Sequence, residues 1–419
     1  MKFVELEEKE FDSFALKHER SSFLEHSSFA HLKKSNGWDY KIFGLKDNDK
    51  IVAGTLLLYK KMPLGKYMYY APRGYLLDYN DEKIFKEFNK EIVNYCKSHK
   101  GMFLKIDPYL IYKQKDKDGN IVEGGEDNSN IVKMIKDEGF ILQDEDKGDK
   151  PLQIQNMYWI RLKGRTLDDV MKDMTSKTRQ MIRKNERRGI VIREGSIDDF
   201  EEFNNIMSNT ENRKNFISRD MEYNKEMYKE YGSGKYQKII LADIEILKTL
   251  NKFKDEYEAL DKEIKTYESG EKTIKEAKLK EKKDALSRLE KEIEEFTELH
   301  KKYGNVKTIG GITYFVYGHE VLSFLGGSYD DFIEYQPFYT MHYEMIKYAI
   351  DNHYDYYNFY GISKHLVESD PMYGVYLFKK GFGGEVVELI GEYDLKLSAT
   401  YYLYKLAYKA LKLVRKIKH

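Results

Sequence analysis

The chain has 419 residues, and its 71 lysines and arginines balance 71 aspartates and glutamates, so the formal net charge is zero. A neutral chain has no overall field that attracts nucleic acid or an anionic membrane, and any polyanion must be bound by local basic patches. The single cysteine, Cys96, excludes an internal disulfide and a multi-thiolate metal site. No apolar stretch reaches about 18 residues and the start lacks a signal-like region, so we expect a cytoplasmic protein.

Residues 1–150 predict a first mixed α/β domain. A strand and glycine-containing turn are expected in YMYYAPRGYLL, a helix in DEKIFKEFNKEIVNYCKSH, and a strand in GMFLKIDP that ends at Asp107 and Pro108. The following stretch, 113–130, is polar and rich in glycine. It is predicted to be a surface loop, and it could lie beside a cleft.

Residues 151–242 begin a second domain and contain the most concentrated basic segment of the chain. The segment 175–190 reads TSKTRQMIRKNERRGI, with a single acidic residue. On a helix, Arg179, Arg183 and Arg187 fall one turn apart on one face, where they could bind phosphates. A solvated basic helix explains the same pattern, and both interpretations stay open.

Residues 243–303 predict a helical hairpin inserted into the second domain. Each arm carries apolar residues at alternating steps of three and four, the spacing that keeps one seam on one side of a helix, and Ser269-Gly270 separates the arms. Two antiparallel arms could bury these seams against each other. A rod of this kind usually reaches a large partner, although a solvated helix pair without a partner is the alternative. The seam residues are Leu250, Phe253, Tyr257, Leu260, Ile264 and Tyr267 in the first arm, and Leu286, Leu289, Ile293, Phe296 and Tyr303 in the second.

Residues 304–396 complete the second domain and repeat the order of elements seen in the first. A hairpin with a glycine-rich turn is followed by a helix and by a strand that ends at Gly361, which predicts two similar α/β domains. Further along, Lys379 and Lys380 precede a Gly-Phe-Gly-Gly turn, where an ammonium and backbone amides could converge on an anion. There is no HExxH, GxGxxG or GxxxxGK[ST] motif, so no metal or cofactor is predicted.

The last segment, 397–419, predicts a basic amphipathic helix. Apolar residues alternate with lysines and an arginine in YYLYKLAYKALKLVRKIKH. Such a helix could rest on an anionic membrane surface. A packed terminal helix is the other interpretation, because a domain would bury the same apolar face.

These pieces together resemble the Fem family of peptidoglycan interpeptide-bridge aminoacyltransferases, of the FemA, FemB and MurM/MurN type, over nearly the whole chain. The resemblance implies an α/β (α+β) fold of two acetyltransferase-like (GNAT-like) domains with an inserted antiparallel coiled-coil arm that contacts tRNA. It implies transfer of an amino acid from aminoacyl-tRNA to an amine of a peptidoglycan precursor. The matching pieces are MKFVELEEKEF, YYAPRGYLLDY, LKIDPYLIY, KTRQMIRKNERRGI, the charged hairpin, FLGGS, YYNFYGIS and YGVYLFKKGFGGEVVELIGEYD.

The resemblance also implies catalytic residues. Lys379, which follows Phe378, is the expected cation at the developing negative charge, with a shared structural lysine as the alternative. Asp107 corresponds to a cleft aspartate of the first domain, which either positions the amine or caps the turn before Pro108.

For the phosphates of the precursor, the resemblance implies Lys34 together with Arg219 and Tyr223. The family usually has a glutamine and an aromatic residue in the first of these motifs, where this chain has His26 and Ala30. That departure leaves Lys33 as a substitute. Further substrate-binding residues are expected at Gly326, Gly327, Ser328 and Tyr360, and tRNA-binding residues at Lys177, Arg179, Arg183 and Lys184.

The acceptor implied by the resemblance is either the lipid-linked precursor, lipid II, or the soluble UDP-MurNAc-pentapeptide. Contact with the inner face of the cell membrane and a homodimer or heterodimer with related Fem proteins are further expectations. An alternative from another class is a catalytically idle relative that binds RNA or acts in cell-wall immunity.

Overall fold

Two separate β-sheets organise the described part of the chain, which comprises residues 1–144, 149–214 and 221–417 of a computed structural model. The strands are β1 (Lys2–Glu5), β2 (Trp38–Asp47), β3 (Lys50–Lys61), β4 (Tyr67–Ala71), β5 (Leu76–Leu77), β6 (Gly101–Ile106), β7 (Ile141–Leu142), β8 (Asn156–Arg161), β9 (Ile190–Glu194), β10 (Gln237–Ile244), β11 (Lys307–Tyr317), β12 (Glu320–Ser328), β13 (Tyr356–Gly361), β14 (Glu385–Glu388) and β15 (Tyr393–Lys396). The helices are α1 (Glu8–Lys17), α2 (Ser27–Lys34), α3 (Glu82–Ser98), α4 (Ser129–Asp137), α5 (Leu167–Asp173), α6 (Ser176–Arg187), α7 (Phe200–Lys214), α8 (Met221–Glu230), α9 (Ile246–Glu268), α10 (Glu276–Tyr303), α11 (Phe338–Asp351), α12 (Tyr373–Lys380) and α13 (Thr400–Ile417).

The first sheet has the order β1-β2-β3-β4-β6-β15-β7, with β5 paired to β3. Its pairs are antiparallel except for β4 and β6, which α3 connects as a crossover. Helix α3 forms where the sequence predicts it, because Phe85, Phe88, Ile92 and Cys96 recur at steps of three and four and are all fully buried. These side chains form one apolar cluster with the sheet.

The second sheet has the order β14-β8-β13-β12-β11-β10-β9 and also contains one parallel pair, β12 and β13, joined through α11. Each sheet therefore has a parallel pair bridged by a helix within an otherwise antiparallel arrangement. This confirms the predicted mixed α/β fold and the repeated order of elements. It also fits the acetyltransferase-like design that the resemblance implies for both domains.

The end of the chain crosses back from the second sheet to the first. Strand β15 pairs with β6 and β7, so residues 393–396 belong to the first sheet, whereas the sequence predicts that 304–396 belong to the second domain. A buried ion cluster accompanies this pairing. The Lys105 ammonium lies 2.7 Å from an Asp394 carboxylate oxygen and also contacts Glu392. The segment 389–392 thus connects the two domains.

Helices α9 and α10 form an antiparallel hairpin within the predicted insertion. Phe253 meets Phe296 near the base at a ring separation of 5.3 Å, and Lys282 binds Glu263 at 2.7 Å nearer the tip. Ile246, Leu250, Phe253, Leu289 and Phe296 belong to the same apolar cluster as the second sheet. The inner half of the hairpin is therefore part of the second domain, and the outer half projects from it.

None of the helices in the described ranges combines the length and the apolar character that a membrane span requires.

Candidate functional site

A cleft of about 740 Å³ lies where the two domains meet. The first domain contributes side chains from α2 and the segment before it, the second contributes the end of β13, and the connecting segment 150–156 forms a third wall. Three lysines border the cleft, Lys33, Lys150 and Lys364, together with one carboxylate, Asp370. The remaining lining residues are Phe23, Leu24, Phe29, Pro151, Leu152, Gln153, Ile154, Gln155, Asn156, Tyr223, Met227, Phe324, Tyr360, Ile362, Ser363 and His365.

The Lys379 ammonium contacts the backbone of Tyr360, which lines this cleft. Lys379 occupies the last turn of α12, and its Nζ donates to the Gly361 carbonyl at 2.5 Å and to the Tyr360 carbonyl at 3.3 Å. Tyr360 has a φ of +65°, and the ladder between β13 and β8 is irregular at this point. Because of this irregular backbone, the carbonyl oxygens of Tyr360 and Gly361 both point towards the Lys379 ammonium. Since an ammonium has three N–H donors, a third remains for a substrate oxygen.

Burial determines the charge state of Lys379. The side chain is only 8% exposed, and removal from water lowers the pKa of the ammonium to about 7. The cation is therefore present below neutral pH and is easily neutralised above it. A lysine with this property, beside a cleft, is a candidate for a catalytic group.

Stability is expected to depend on pH through Lys379. Its pKa is about 7 in the folded chain, against an ordinary value of 10.5, so between these pH values the unfolded chain carries a proton that the native chain lacks. The free energy of unfolding of the unmodified protein should therefore rise, relative to that of Lys379→Met, as pH increases from 7 towards 10.5. Urea titrations of both proteins across this range measure the difference. A constant difference would contradict the lowered pKa.

Phe378 packs in an aromatic cluster beside Lys379. Its ring lies 4.9 Å from Tyr339, 5.6 Å from His342 and 5.4 Å from Phe382. His342 is buried, which lowers its pKa to about 3, and the nearby Lys379 charge acts in the same direction. The imidazole is therefore neutral, and its Nδ1 lies 2.7 Å from the Tyr357 hydroxyl. The cluster therefore holds α12 in place by ring packing, and the neutral His342 adds no second positive charge beside Lys379.

A second cavity, of about 750 Å³, opens on the other side of α12. Phe378 and Lys380 line it from this helix, Ser328 lines it from β12, and Lys177 from the first turn of α6. Thr175 caps α6 by accepting from the Thr178 amide. Both threonines also line the cavity, so the amino end of this helix faces it. The partial positive charge of a helix amino end favours an anion there.

The basic side chains of helix α6 differ in their partners and in their exposure. Arg179 points inward and donates to the carbonyls of Met171 and Met174, at the end of α5. Arg187 binds Glu292 of the hairpin at 2.8 Å. Arg183 and Lys184 are exposed. Of the face predicted from Arg179, Arg183 and Arg187, two members thus bind neighbouring elements, although Arg187 stays partly open to solvent.

The structure places Lys33, rather than Lys34, at the cleft. The Lys33 ammonium lies 4.8 Å from the Phe29 ring, and the residue lines the cleft. Lys34 is exposed, with its ammonium 4.9 Å from the Tyr40 ring on another side of α2. Tyr223 also lines the cleft. Arg219, its predicted companion, lies outside the described residues.

Asp107 is fully buried and holds Arg73. One of its carboxylate oxygens accepts from the Arg73 amide at 2.8 Å, and the other lies 3.5 Å from the Arg73 guanidinium. Burial raises the pKa of Asp107 to about 7, and the Arg73 charge acts against that rise. Arg73 in turn donates to the carbonyl of Ile154 in the cleft wall, so Asp107 is separated from the cleft by one residue.

A buried polar cluster extends from Arg73 into the second domain. The Arg73 guanidinium lies 4.8 Å from the Tyr109 ring, and the Tyr109 hydroxyl donates to Glu320 at 2.9 Å. Asn358 donates to both Glu320 and Tyr109 at 3.0 Å. No sequence pattern marks this cluster, because its members come from four distant segments and show no shared spacing.

Gly326 and Gly327 permit close packing of β12. A Cβ atom at Gly327 would lie 2.6 Å from the Thr210 hydroxyl of α7, and one at Gly326 would lie 2.8 Å from Ile312 of β11. Ser328 is buried, and its amide donates to Thr210 at 3.1 Å. The two glycines therefore allow β12 to pack closely against β11 and α7. Ser328 also borders the second cavity.

The predicted surface loop of the first domain reaches α12. Asp118 forms an ion pair with Lys380, and the Tyr376 hydroxyl donates to the Lys117 carbonyl at 3.0 Å. Val386 of β14 donates to the Asp116 carbonyl at 3.1 Å. This loop therefore helps to position the helix that carries Lys379. The polar sequence of the loop gave no signal of these contacts.

Comparison with known proteins agrees with the fold and extends over nearly the whole chain. The model of the FemAB family matches residues 6–409. Aminoacyltransferase FemB of Staphylococcus epidermidis is 34% identical over 396 residues, which is 94% of each chain. Aminoacyltransferase FemA of Staphylococcus aureus is 31% identical over 427 residues, 99% of each chain. The crystal structure of FemX shares the fold, with a TM-score of 0.80 at 22% identity, and covers 97% of this chain and 99% of that one.

Proposed function

The chain belongs to the FemAB family, and from this premise we propose that it moves an amino acid from aminoacyl-tRNA to an amine of a peptidoglycan precursor. The observation that carries the proposal is the position of Lys379. Its ammonium contacts the carbonyl of Tyr360, which lines the interdomain cleft, while its neighbour Phe378 lines the second cavity. Two substrates bound in the two cavities would meet beside this cation.

The proposed reaction needs no covalent enzyme intermediate. The nitrogen of the acceptor amine attacks the ester carbonyl of the aminoacyl group, and a tetrahedral oxyanion forms. The carbon–oxygen bond to the tRNA ribose then breaks, and the ribose oxygen takes up the proton that the amine loses. Lys379 stabilises the oxyanion, and the walls of the two cavities orient the reactants.

We assign the aminoacyl end of the tRNA to the second cavity. The amino end of α6 and Lys177 provide positive potential for the terminal phosphates, and Phe378 provides an apolar wall. Exposed Arg183 and Lys184 continue this potential along α6. The outer half of the hairpin is the proposed contact for a more distant part of the tRNA.

We assign the precursor to the interdomain cleft. Lys33, Lys150 and Lys364 surround its rim and fit the phosphates that both the lipid-linked and the nucleotide-linked precursor carry. Phe29, Phe324 and Tyr360 provide aromatic surface for the rest of the molecule. A lipid-linked acceptor would bring the enzyme to the inner face of the cell membrane.

Replacing Lys33 with alanine is expected to raise the KM for the precursor by about tenfold, since a charge-assisted hydrogen bond contributes about 1.5–3 kcal/mol. The KM for aminoacyl-tRNA should change little. Lys34→Ala is the matched control, because this neighbouring lysine has its ammonium over the Tyr40 ring. Steady-state kinetics with each substrate varied in turn measure both effects. Equal KM values in the two variants would remove Lys33 from the acceptor site.

Shortening the hairpin is expected to weaken use of full-length tRNA. Replacing 261–286 by a short Gly/Ser link keeps the base contacts of Phe253, Phe296 and Arg187, so the second domain should stay folded. The value of kcat/KM should fall by about tenfold for full-length aminoacyl-tRNA, because remote contacts supply binding energy. An aminoacylated acceptor-stem mimic, too small to reach the outer hairpin, is the control substrate. An equal loss on both substrates would contradict a tRNA contact.

A further inference from the structure

The described contacts between the C-terminal helix α13 and the first domain lie mainly on one side of the helix. Tyr401 is buried, its ring lies 5.4 Å from Phe103, and its hydroxyl donates to Asp394 at 2.9 Å. Tyr404 stacks on the same phenylalanine at 5.6 Å. The Lys405 ammonium binds Gln143 at 2.5 Å and Asp149 at 3.2 Å. These contacts fix which side of the helix faces the domain.

The opposite side of α13 is apolar and faces outward. Tyr402, Leu403 and Leu406 are 54%, 62% and 66% exposed, and Ala410 is exposed as well. A helix turns by about 100° per residue, and three further apolar residues follow in the sequence at the spacing of this side. These residues are Leu413, Val414 and Ile417. Among the described side chains, the outward face is therefore an apolar patch of Leu403, Leu406 and Ala410. Tyr402 lies at its edge, where the tyrosine hydroxyl accepts from Lys396 of β15 at 3.2 Å.

Basic residues accompany this patch without any acidic residue. After Asp394 the chain contains no aspartate or glutamate, although the whole chain is neutral. In the sequence, Lys409, Lys412 and Lys416 follow Lys405 at steps of three and four, which is the spacing of one side of a helix. The basic residues of this segment are Lys396, Lys405, Lys409, Lys412, Arg415, Lys416 and Lys418.

We propose that α13 is a membrane-docking helix, which lies in the surface of an anionic lipid bilayer with Tyr402, Leu403, Leu406 and the following apolar residues inserted. The charge of the segment favours this occupant over an apolar protein partner, because its lysines would meet lipid phosphates while the patch enters the acyl boundary. The proposal rests on α13 alone and holds whatever reaction the two domains catalyse.

The position of α13 also has a consequence for the cleft. Lys405 binds Asp149, and the next residue, Lys150, borders the interdomain cleft. A protein docked through α13 would therefore hold this cleft close to the bilayer surface. For the proposed function, this favours an acceptor that is itself anchored in the membrane.

The test is sedimentation of the full-length protein with vesicles. The protein is expected to bind vesicles rich in phosphatidylglycerol, to bind pure phosphatidylcholine vesicles much less, and to be released by high salt. Leu403→Glu combined with Leu406→Glu should weaken binding by about tenfold or more. The control variant combines Leu64→Glu with Val306→Glu, which changes two side chains that are 70% and 53% exposed elsewhere on the molecule. This control should bind as the unmodified protein does.

Three outcomes would overturn the proposal. They are absence of vesicle binding by the unmodified protein, equal binding to both lipids, and unchanged binding by the Leu403/Leu406 variant. If that variant instead converts a dimer into a monomer without affecting vesicles, the patch is an interface between copies of the chain. Turnover with a soluble acceptor should be unchanged by the variant, so a failure of docking is distinguishable from a failure of the proposed transferase function.

Discussion

Replacing Lys379 with methionine is expected to lower kcat by about 100- to 1,000-fold, the usual cost of losing one donor to a developing oxyanion. The KM values should change little, because the ammonium binds two backbone carbonyls in the free protein and acts on the substrate mainly in the transition state. Methionine has a similar length and suits a site that is only 8% exposed. The fold should therefore be retained.

The matched control is Lys380→Met. This neighbouring ammonium is bound to Asp118 and lies on another side of α12, so kcat should stay within about tenfold of the unmodified value. Single-turnover rates at saturating concentrations of both substrates measure the chemical step, and thermal unfolding reports the fold. A Lys379→Met protein with a near-normal rate would show that this lysine is structural.

Replacing Arg73 with methionine is expected to destabilise the protein by about 3–5 kcal/mol near neutral pH, the typical cost of removing one partner of a buried ion pair. Asp107 would be left without its cation at a fully buried position. Arg73 already has a φ of +59°, and methionine meets the same backbone constraint, so the loss reports the side chain. Urea unfolding of the two proteins gives the difference.

The Arg73 effect should depend on pH in a defined direction. Burial raises the pKa of Asp107 to about 7, and loss of the Arg73 charge should raise it further. Below that pKa the carboxyl carries a proton and needs no cation, so the destabilisation should be smaller at about pH 5 than at about pH 8. Adding Asp107→Asn to Arg73→Met should recover part of the loss. A loss that is equal at both pH values would contradict a charged partner for Arg73.

Local patterns predicted the elements of this fold well. The apolar spacing of Phe85, Phe88 and Ile92 predicted α3, and the two seams predicted the arms of the hairpin. The return of β15 to the first sheet was not predictable. It depends on pairing with β6 and on the buried contact between Asp394 and Lys105, which are far apart in the sequence. The packing of the hairpin base into the second domain was not predictable either, because it also depends on contacts between residues that are far apart in the sequence.

The candidate site was predicted only in part. Lys379 and Phe378 came from the resemblance, but the two carbonyls that hold the ammonium depend on the left-handed backbone of Tyr360, which no sequence pattern marked. Helical spacing placed Arg179 on a phosphate-binding face, whereas the end of α5 offers its carbonyls to that guanidinium. Spacing alone could not decide between Lys33 and Lys34, because adjacent residues of a short helix point in different directions.

The most direct test of the proposed reaction uses purified protein, a panel of charged tRNAs, and both the lipid-linked and the nucleotide-linked precursor, with the products weighed by mass spectrometry. At least one combination should yield a precursor heavier by one or more amino acid residues, and Lys379→Met should form that product about 100- to 1,000-fold more slowly. The same measurement identifies the amino acid, the preferred acceptor and the number of residues added. If no combination gives a product while aminoacyl-tRNA still binds, the chain is a catalytically idle relative and the proposed transferase function is wrong.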